Sequence, residues 1–341
     1  MELDLAFIWA GLIAFAVLAY VVLDGFDLGV GILFLFNEDE SDRDEMMNSV
    51  APVWDGNETW LVLGGGGLLA AFPLAYAILM PAFYIPVYLM LLALILRGVA
   101  FEFRLRGRKR GKAFWTAAFT VGSLSATIAQ GLVLGGFIQG VTLKDGAFAG
   151  GPFDWLTPYT LLVAAGLVAG YALLGATWLI WRTEDELFGR ARRWAWISAG
   201  AVAALLAATS LATLFVHTNI AARWGFQNGA FDLAKLTPLL PIPALGAAGL
   251  AIVAIGLMRR GHFPPFLGAG LVFLSGYLGL AVSFFPYIVP YSMTFREAAN
   301  PDNTLTLMLG GGAILLPAIL GYSGWVYWIF RGKVHAGAGY H

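Results

Sequence analysis

The chain has 341 residues, of which 59% are hydrophobic and 12% charged, with a formal net charge of −1. A soluble domain carries about 25% charged residues. The apolar runs that recur here from end to end mark a polytopic membrane protein instead. The small net charge gives no pull toward nucleic acid, and the lack of cysteine excludes disulfides, Cys-ligated zinc and iron–sulfur clusters.

The N-terminus, Met1-Glu2-Leu3-Asp4, is acidic where a secretory signal would be basic, so the first helix is expected to be retained. Hydropathy predicts an all-α chain of nine spans, near 5–36, 57–72, 74–104, 113–139, 156–181, 192–217, 237–258, 264–288 and 304–330. No stretch is long and polar enough for a soluble domain. The whole chain, 1–341, reads as one integral membrane domain: four spans within 1–139, four within 152–288, and a last one at 304–330.

The first span exceeds the ~30 Å hydrocarbon core and carries Asp24 and Asp27 in its second half. Three residues apart, the two share one helix face. Neighbouring carboxylates in low dielectric suit the uptake and release of protons. The apolar run Leu28 to Phe36 continues past them, which argues against a simple headgroup position, and intramembrane acids are functional by default. Gly25 and Gly29, four apart, suit a close contact with another helix.

The second span opens on Trp54-Asp55-Gly56-Asn57-Glu58-Thr59-Trp60. Asp55 and Glu58 have the spacing of a capping box, a role that leaves Asp55 free to carry protons as well. Trp54 and Trp60 fit an interfacial belt or the lining of a small-molecule path. Gly64-Gly65-Gly66-Gly67 fits close helix packing, since neither a strand before it nor a Lys after it makes a phosphate loop. The third span holds Arg97 and ends on Phe101-Glu102-Phe103-Arg104, where Glu102 is either a solvated interface residue or a partly buried acid. Asp24, Asp27, Asp55 and Glu102 all map to the same half of the first three spans, so one cluster of acids is expected there, as a proton route requires.

Fifteen Lys and Arg fall in one set of loops, including Arg43, Arg104 to Lys112, Arg182, Arg190, Arg259 and Lys333. Four fall in the other: Lys144, Arg223, Lys235 and Arg296. By the positive-inside rule the N-terminus is outside and the C-terminus cytoplasmic. The four histidines, His217, His262, His335 and His341, sit at helix ends, in loops or in the tail, whereas haem ligation needs them on buried helix faces. No nucleophilic triad, metal-spaced pair or phosphate loop is present, so this chain alone is expected to hold no haem and no metal.

Leu23-Asp24-Gly25-Phe26-Asp27-Leu28-Gly29-Val30-Gly31 and Ala51-Pro52-Val53-Trp54-Asp55-Gly56-Asn57-Glu58-Thr59-Trp60 together resemble subunit II of the cytochrome bd-type quinol oxidases. Arg97-Gly98-Val99-Ala100-Phe101-Glu102-Phe103-Arg104 and Gly150-Gly151-Pro152-Phe153-Asp154-Trp155-Leu156-Thr157-Pro158 fit the same family, over nearly the whole chain. Glu58 and the Phe101-Glu102-Phe103 triplet resemble the cyanide-insensitive branch. Many relatives carry Asp-Tyr where this chain has Glu102-Phe103, which changes the reach of that acid.

The resemblance implies two four-helix bundles plus a peripheral helix, in the bacterial cytoplasmic membrane. It implies pairing with a similarly folded subunit I that holds the haems of b and d type and the quinol site. The complex would oxidise quinol on the outer side and reduce dioxygen to water with cytoplasmic protons, generating a membrane potential without pumping. Asp55 and Glu102 match acids of a proton route, Trp60 a tryptophan near an oxygen path, and Asp24 and Asp27 family acids of less settled role. A bound structural quinone or lipid, and a small single-helix accessory subunit, are compatible with it.

Two other readings compete. An independent proton-coupled transporter should show midplane polar groups and broken helices in matching halves, yet the acids here gather in the first three spans. A purely structural assembly subunit would use every acid as a cap or interface residue.

Overall fold

A computed structural model describes residues 4–106, 109–227 and 229–334. Residues 107 and 108, with Arg108 of the basic run, and the tail with His335 and His341 lie outside the described residues. Helix α1 (Leu5–Leu33) starts at Asp4, whose carboxylate accepts from the Phe7 amide at 3.0 Å. A short helix not anticipated from hydropathy, α2 (Glu40–Val50), follows, capped by Asp39. Then come α3 (Trp54–Ala71), α4 (Pro73–Ala82), α5 (Tyr84–Arg106) and α6 (Lys109–Gln139).

The expected third span is therefore two helices, parted at Phe83. Pro86 lacks the N–H that would return to Ala82, so the helical hydrogen-bond ladder is interrupted at this point. The second expected span starts earlier than hydropathy placed it, at Trp54, so the Asp55 carboxylate enters the first turn.

A hairpin, β1 (Leu143–Lys144) with β2 (Ala147–Phe148), leads to α7 (Pro158–Arg182) and α8 (Asp185–Thr213). The turn before α7 explains its sequence: Asp154 accepts from the Gly151 amide at 2.7 Å, Thr157 forms a capping box with Thr160, and Pro158 takes the first helical position. Next come α9 (Thr218–Arg223), the hairpin β3 (Phe226–Gln227) with β4 (Ala230–Phe231), and the single turn α10 (Leu233–Leu236). Helices α11 (Pro241–Met258) and α12 (Pro264–Phe284) precede the hairpin β5 (Tyr287–Val289) with β6 (Met293–Thr294), the turn α13 (Phe295–Ala298) and α14 (Asp302–Ile329).

Eight of these helices are long and apolar enough to cross a membrane: α1 with its extension to Phe36, α5, α6, α7, α8, α11, α12 and α14. The chain is a nearly all-helical polytopic membrane protein. Helix α3, with two acids in its first turns, falls outside that group. It packs antiparallel along α1 nonetheless, Asn57 lying near Leu23 and Gly67 near Ile13.

Helix α1 sits at the centre, against α3, α6, α7, α12 and α14. Its closest neighbour is α7. A side chain at Gly29 would strike the Tyr171 carbonyl, and one at Gly175 would strike Gly29 itself, so backbone meets backbone there. The close contact expected of Gly25 and Gly29 is thus present. In the four-glycine run of α3 only Gly64 and Gly67 approach α1; Gly65 and Gly66 face open space. The pairs α5–α6, α7–α8 and α11–α12 pack side by side, and α14 lies outermost, on α1 and α3.

The loops gather at two ends. At one, Asp4 pairs with Arg296 at 2.7 Å, and α4 packs on β2 and β5. At the other, α2 is held across the bundle by charge. Buried Arg104 on α5 donates to Asp44 at 2.6 Å and Glu40 at 3.0 Å, Lys112 on α6 reaches Asp44 at 2.7 Å, and Arg190 on α8 reaches Asp42 at 3.1 Å. Arg104 is thus paired with α2 and with Thr116 (2.8 Å).

Candidate functional site

The centre of the site is a charge that hydropathy reading treated only as a lone basic residue within a span. Arg97 on α5 is fully buried and meets the face of α1 that carries both aspartates: its Nη1 lies 2.7 Å from Asp24 Oδ1 and its Nη2 3.9 Å from Asp27 Oδ2. Glu58 on α3 comes within 4.0 Å of the same Nη1. One guanidinium therefore faces three carboxylates from two helices. The signal for it was present in the sequence, because an arginine inside an apolar span needs a partner and the preceding spans held the acids.

Two strings of hydrogen bonds lead away from this group. Asn57 Nδ2 donates to Asp27 Oδ2 at 2.7 Å, and the Tyr327 hydroxyl of α14 donates to Asn57 Oδ1 at 2.7 Å. On the other side Tyr20 faces Asp24. Its hydroxyl accepts from Gln130 Nε2 at 2.7 Å, and the Tyr171 hydroxyl donates to Gln130 Oε1 at 2.8 Å. These amides and phenols belong to α14, α3, α6 and α7, so the polar group ties five helices around α1.

The capping box expected of Asp55 and Glu58 is not formed. The helix starts two residues earlier, with Val53 rather than Asp55 as its cap and no side-chain capping bond, because Pro52 and Val53 already turn the chain. Glu58 turns toward Arg97 instead of the helix start. Asp55 lies on the exposed side of α3, and Glu102 on the exposed side of α5. The four acids expected in one cluster thus separate into a buried pair, Asp24 and Asp27, and two exposed ones. The physical reason is position on each helix: Asp55 stands in the exposed first turn of α3, and Glu102 is on the side of α5 away from buried Arg104.

The tryptophans are also more internal than an interfacial belt requires. Trp54 stacks on buried Phe101, ring centres 4.8 Å apart and 8° between planes. Trp60 is buried against Ala16 and Tyr20, edge-on to Phe15 at 5.6 Å, and Phe15 is itself exposed on the outer surface of α1.

The described histidines do not fit haem ligation. His217 caps α9 and stacks on Tyr291, and His262 Nδ1 contacts the Ile180 carbonyl at 3.0 Å and the Lys333 ammonium at 2.8 Å. His217 is half-buried at a helix end and His262 exposed in a loop, so neither lies on a buried helix face. Among the described residues no three His, Asp or Glu come together as a metal centre.

Comparison with known proteins agrees with the geometry. The family model for the cytochrome bd terminal oxidase subunit II matches residues 5–330. The chain is 30% identical to the cytochrome bd-I ubiquinol oxidase subunit 2 of Escherichia coli (strain K12), over 97% of this chain and 95% of that one. It is 30% identical to the cytochrome bd ubiquinol oxidase subunit 2 of Bacillus subtilis (strain 168), over 96% of each. The fold is shared with the bd oxidase structure from Geobacillus thermodenitrificans, with a TM-score of 0.72, 16% identity, and 97% of this chain and all of that chain covered.

Proposed function

Given that the chain belongs to the cytochrome bd terminal oxidase subunit II family, as a multi-pass protein of the bacterial cytoplasmic membrane, we propose that it is the haem-free subunit of a quinol:dioxygen oxidoreductase. It pairs with a haem-bearing subunit I and supplies that partner with cytoplasmic protons for the four-electron reduction of oxygen to water. The haems of b and d type, which carry the electrons, belong to the partner. Charge separation then follows from quinol oxidation outside and proton uptake inside, without pumping.

The observation that carries this reading is the pair of exposed carboxylates, Asp55 on α3 and Glu102 on α5, on helices whose neighbouring residues are apolar. A carboxylate cannot face lipid at low cost. On the same side of α5, Tyr88, Leu92, Ile95 and Val99 are exposed as well. A protein partner on this surface covers the apolar area and keeps both acids away from lipid. Protons then pass from the α2 end, by way of Asp55 and Glu102, across the contact to the oxygen-reducing centre. Glu58 and the buried Asp24 and Asp27 form the inner branch of the route. Trp60, between the lipid-facing Phe15 and the interior, lies on the oxygen path.

The topology that goes with this reading has nine crossings, with α3 as the ninth. Its 18 residues give about 27 Å at ~1.5 Å per residue, close to the core thickness. The N-terminus is outside and the C-terminus cytoplasmic, because the basic residues gather at the α2 end. Residues 1–139 and 152–288 then form two four-helix units, with 304–330 as a peripheral helix.

The experiment is substitution of each exposed acid in the two-subunit complex. Asp55→Asn and Glu102→Gln should slow quinol-driven oxygen consumption by about tenfold or more while leaving the haem content intact. Loss of haem on either substitution marks that residue as an assembly contact. Native rates in both remove the proton route.

A further inference from the structure

The route above reaches the buried pair only if protons can pass from the exposed acids to Asp24 and Asp27. Three approaches lead to the pair. The first runs from a cavity of about 40 Å³, lined by Ser49, Trp178, Arg182 and Tyr327, through the Tyr327 hydroxyl and Asn57 to Asp27. The second runs from fully buried Tyr171 through Gln130 and Tyr20 to Asp24. The third is Arg97 with Glu58 beside it.

An amide accepts at oxygen and donates at nitrogen. To hand a proton across, it must pass through a high-energy imidic acid, so Asn57 and Gln130 each interrupt their string. The second string also starts at a tyrosine with no opening to either end. Arg97 keeps its protons under all conditions relevant to proteins and cannot relay one.

Glu58 is the carboxylate left. Its side chain is 27% exposed, so one part meets the outer side of α3 near Asp55. Its Oε2 is buried and has no hydrogen-bond partner among the described residues. The same oxygen approaches Arg97 Nη1, the atom that holds Asp24. A glutamate with three rotatable side-chain bonds can swing its carboxyl between these two settings.

We propose that Glu58 is the single proton gate between the exposed face carrying Asp55 and the buried Asp24–Arg97–Asp27 group, the two tyrosine approaches being closed by the amides of Asn57 and Gln130. The inference rests on the proton-route reading of the same acids. In the step itself a proton arriving from Asp55 or water binds the Glu58 carboxylate, the carboxyl turns inward, and the proton passes to Asp24. Glu58 returns as the carboxylate, and no electron moves.

The test uses the complete two-subunit complex, in which proton uptake during one oxygen-reduction turnover is followed with a pH-indicator dye. Glu58→Gln should slow uptake by about tenfold or more with haem content retained. Adding Asn57→Asp to that variant should restore it. A carboxyl in place of the amide joins Asp27 to Tyr327 and to a cavity roomy enough for water, and a purely structural role for Glu58 gives no reason for such rescue. Uptake at the native rate in Glu58→Gln, with Asp27→Asn slow, removes the gate and leaves the route standing. Native rates in Glu58→Gln, Asp24→Asn and Asp27→Asn together remove the inner branch of the route, and the gate with it, while the Asp55 and Glu102 variants test the route itself. Slowing that Asn57→Asp does not relieve shows that the Asn57 amide is not what closes the Tyr327 approach and overturns the proposal. Should Glu58→Gln fail to assemble, Glu58→Asp replaces it: a slowing relieved by Asn57→Asp supports the gate, and a native rate overturns it.

Discussion

Arg97 on α5 and Asp24 on α1 form an ion pair at 2.7 Å with both side chains fully buried. Removing one member of such a pair leaves the other charge uncompensated, at a cost of about 3–5 kcal/mol. Arg97→Leu should therefore sharply lower the yield and Tm of the solubilised chain. Arg97→Lys keeps the charge but loses the planar fork that also approaches Asp27 and Glu58, and should fall between. Adding Asp24→Asn to Arg97→Leu should recover part of the loss. Equal Tm values for Arg97→Leu and the native chain contradict a central role for the pair.

How much of this was legible in the sequence differs from residue to residue. The shared face of Asp24 and Asp27 follows from their spacing, as does the close approach at Gly29. The partner of the acids was harder to see. Arg97 is more than seventy positions away from Asp24, and only helix packing shows that they meet. Asp55 and Glu58 have capping-box spacing, but spacing cannot tell which residue begins the helix. The start at Trp54 turned Asp55 outward and Glu58 inward. The break at Phe83 was marked by Pro81 and Pro86, which an average over hydropathy does not register. Helix α2 is polar and short, so hydropathy passed over it. Its fold comes from the Asp39 cap and from basic residues on three other helices.

Gly29 packs directly on the backbone of α7. Gly29→Ala should destabilise the chain by about 1–3 kcal/mol through forced separation of α1 and α7. Gly270→Ala on α12, where a new methyl group meets nothing within 4 Å, is the control and should leave Tm unchanged or slightly raised. Equal Tm shifts for the two substitutions would mean that the α1–α7 contact can relax.

Trp60 lies between exposed Phe15 and buried Tyr20. Trp60→Ala should raise the apparent KM for oxygen several-fold in the complex while kcat at saturating oxygen stays near native. An unchanged oxygen dependence sinks the oxygen-path role.

Arg104 holds α2 through Glu40 and Asp44, with its guanidinium over the Phe34 ring. Arg104→Met keeps the apolar packing and loses the charged hydrogen bonds, which contribute about 1 kcal/mol each because solvent screens the half-exposed Glu40 and Asp44. Limited proteolysis within 40–50 should accelerate by about tenfold or more. Cleavage at the native rate would show that Lys112 and Arg190 hold α2 without it.

Asp4, just ahead of the first span, is held below the usual carboxylate range by the Phe7 amide and then by Arg296. A depressed carboxylate stabilises the folded start of α1 at pH above its unfolded value, and that contribution fades as pH falls through the folded value. Amide exchange at Phe7 and Ile8, corrected for intrinsic rates, should rise only in acid. Asp4→Asn should flatten that dependence, and a native chain with no acid-dependent change would contradict the cap.

The most direct test of the account is an absorption spectrum of this chain purified alone and again with its co-purifying partner. The account predicts no haem bands from the chain alone and reduced b-type bands, with d-type bands where the partner holds that haem, from the complex. Haem bands from the isolated chain, or a co-purified sample with no haem-bearing partner, would contradict it.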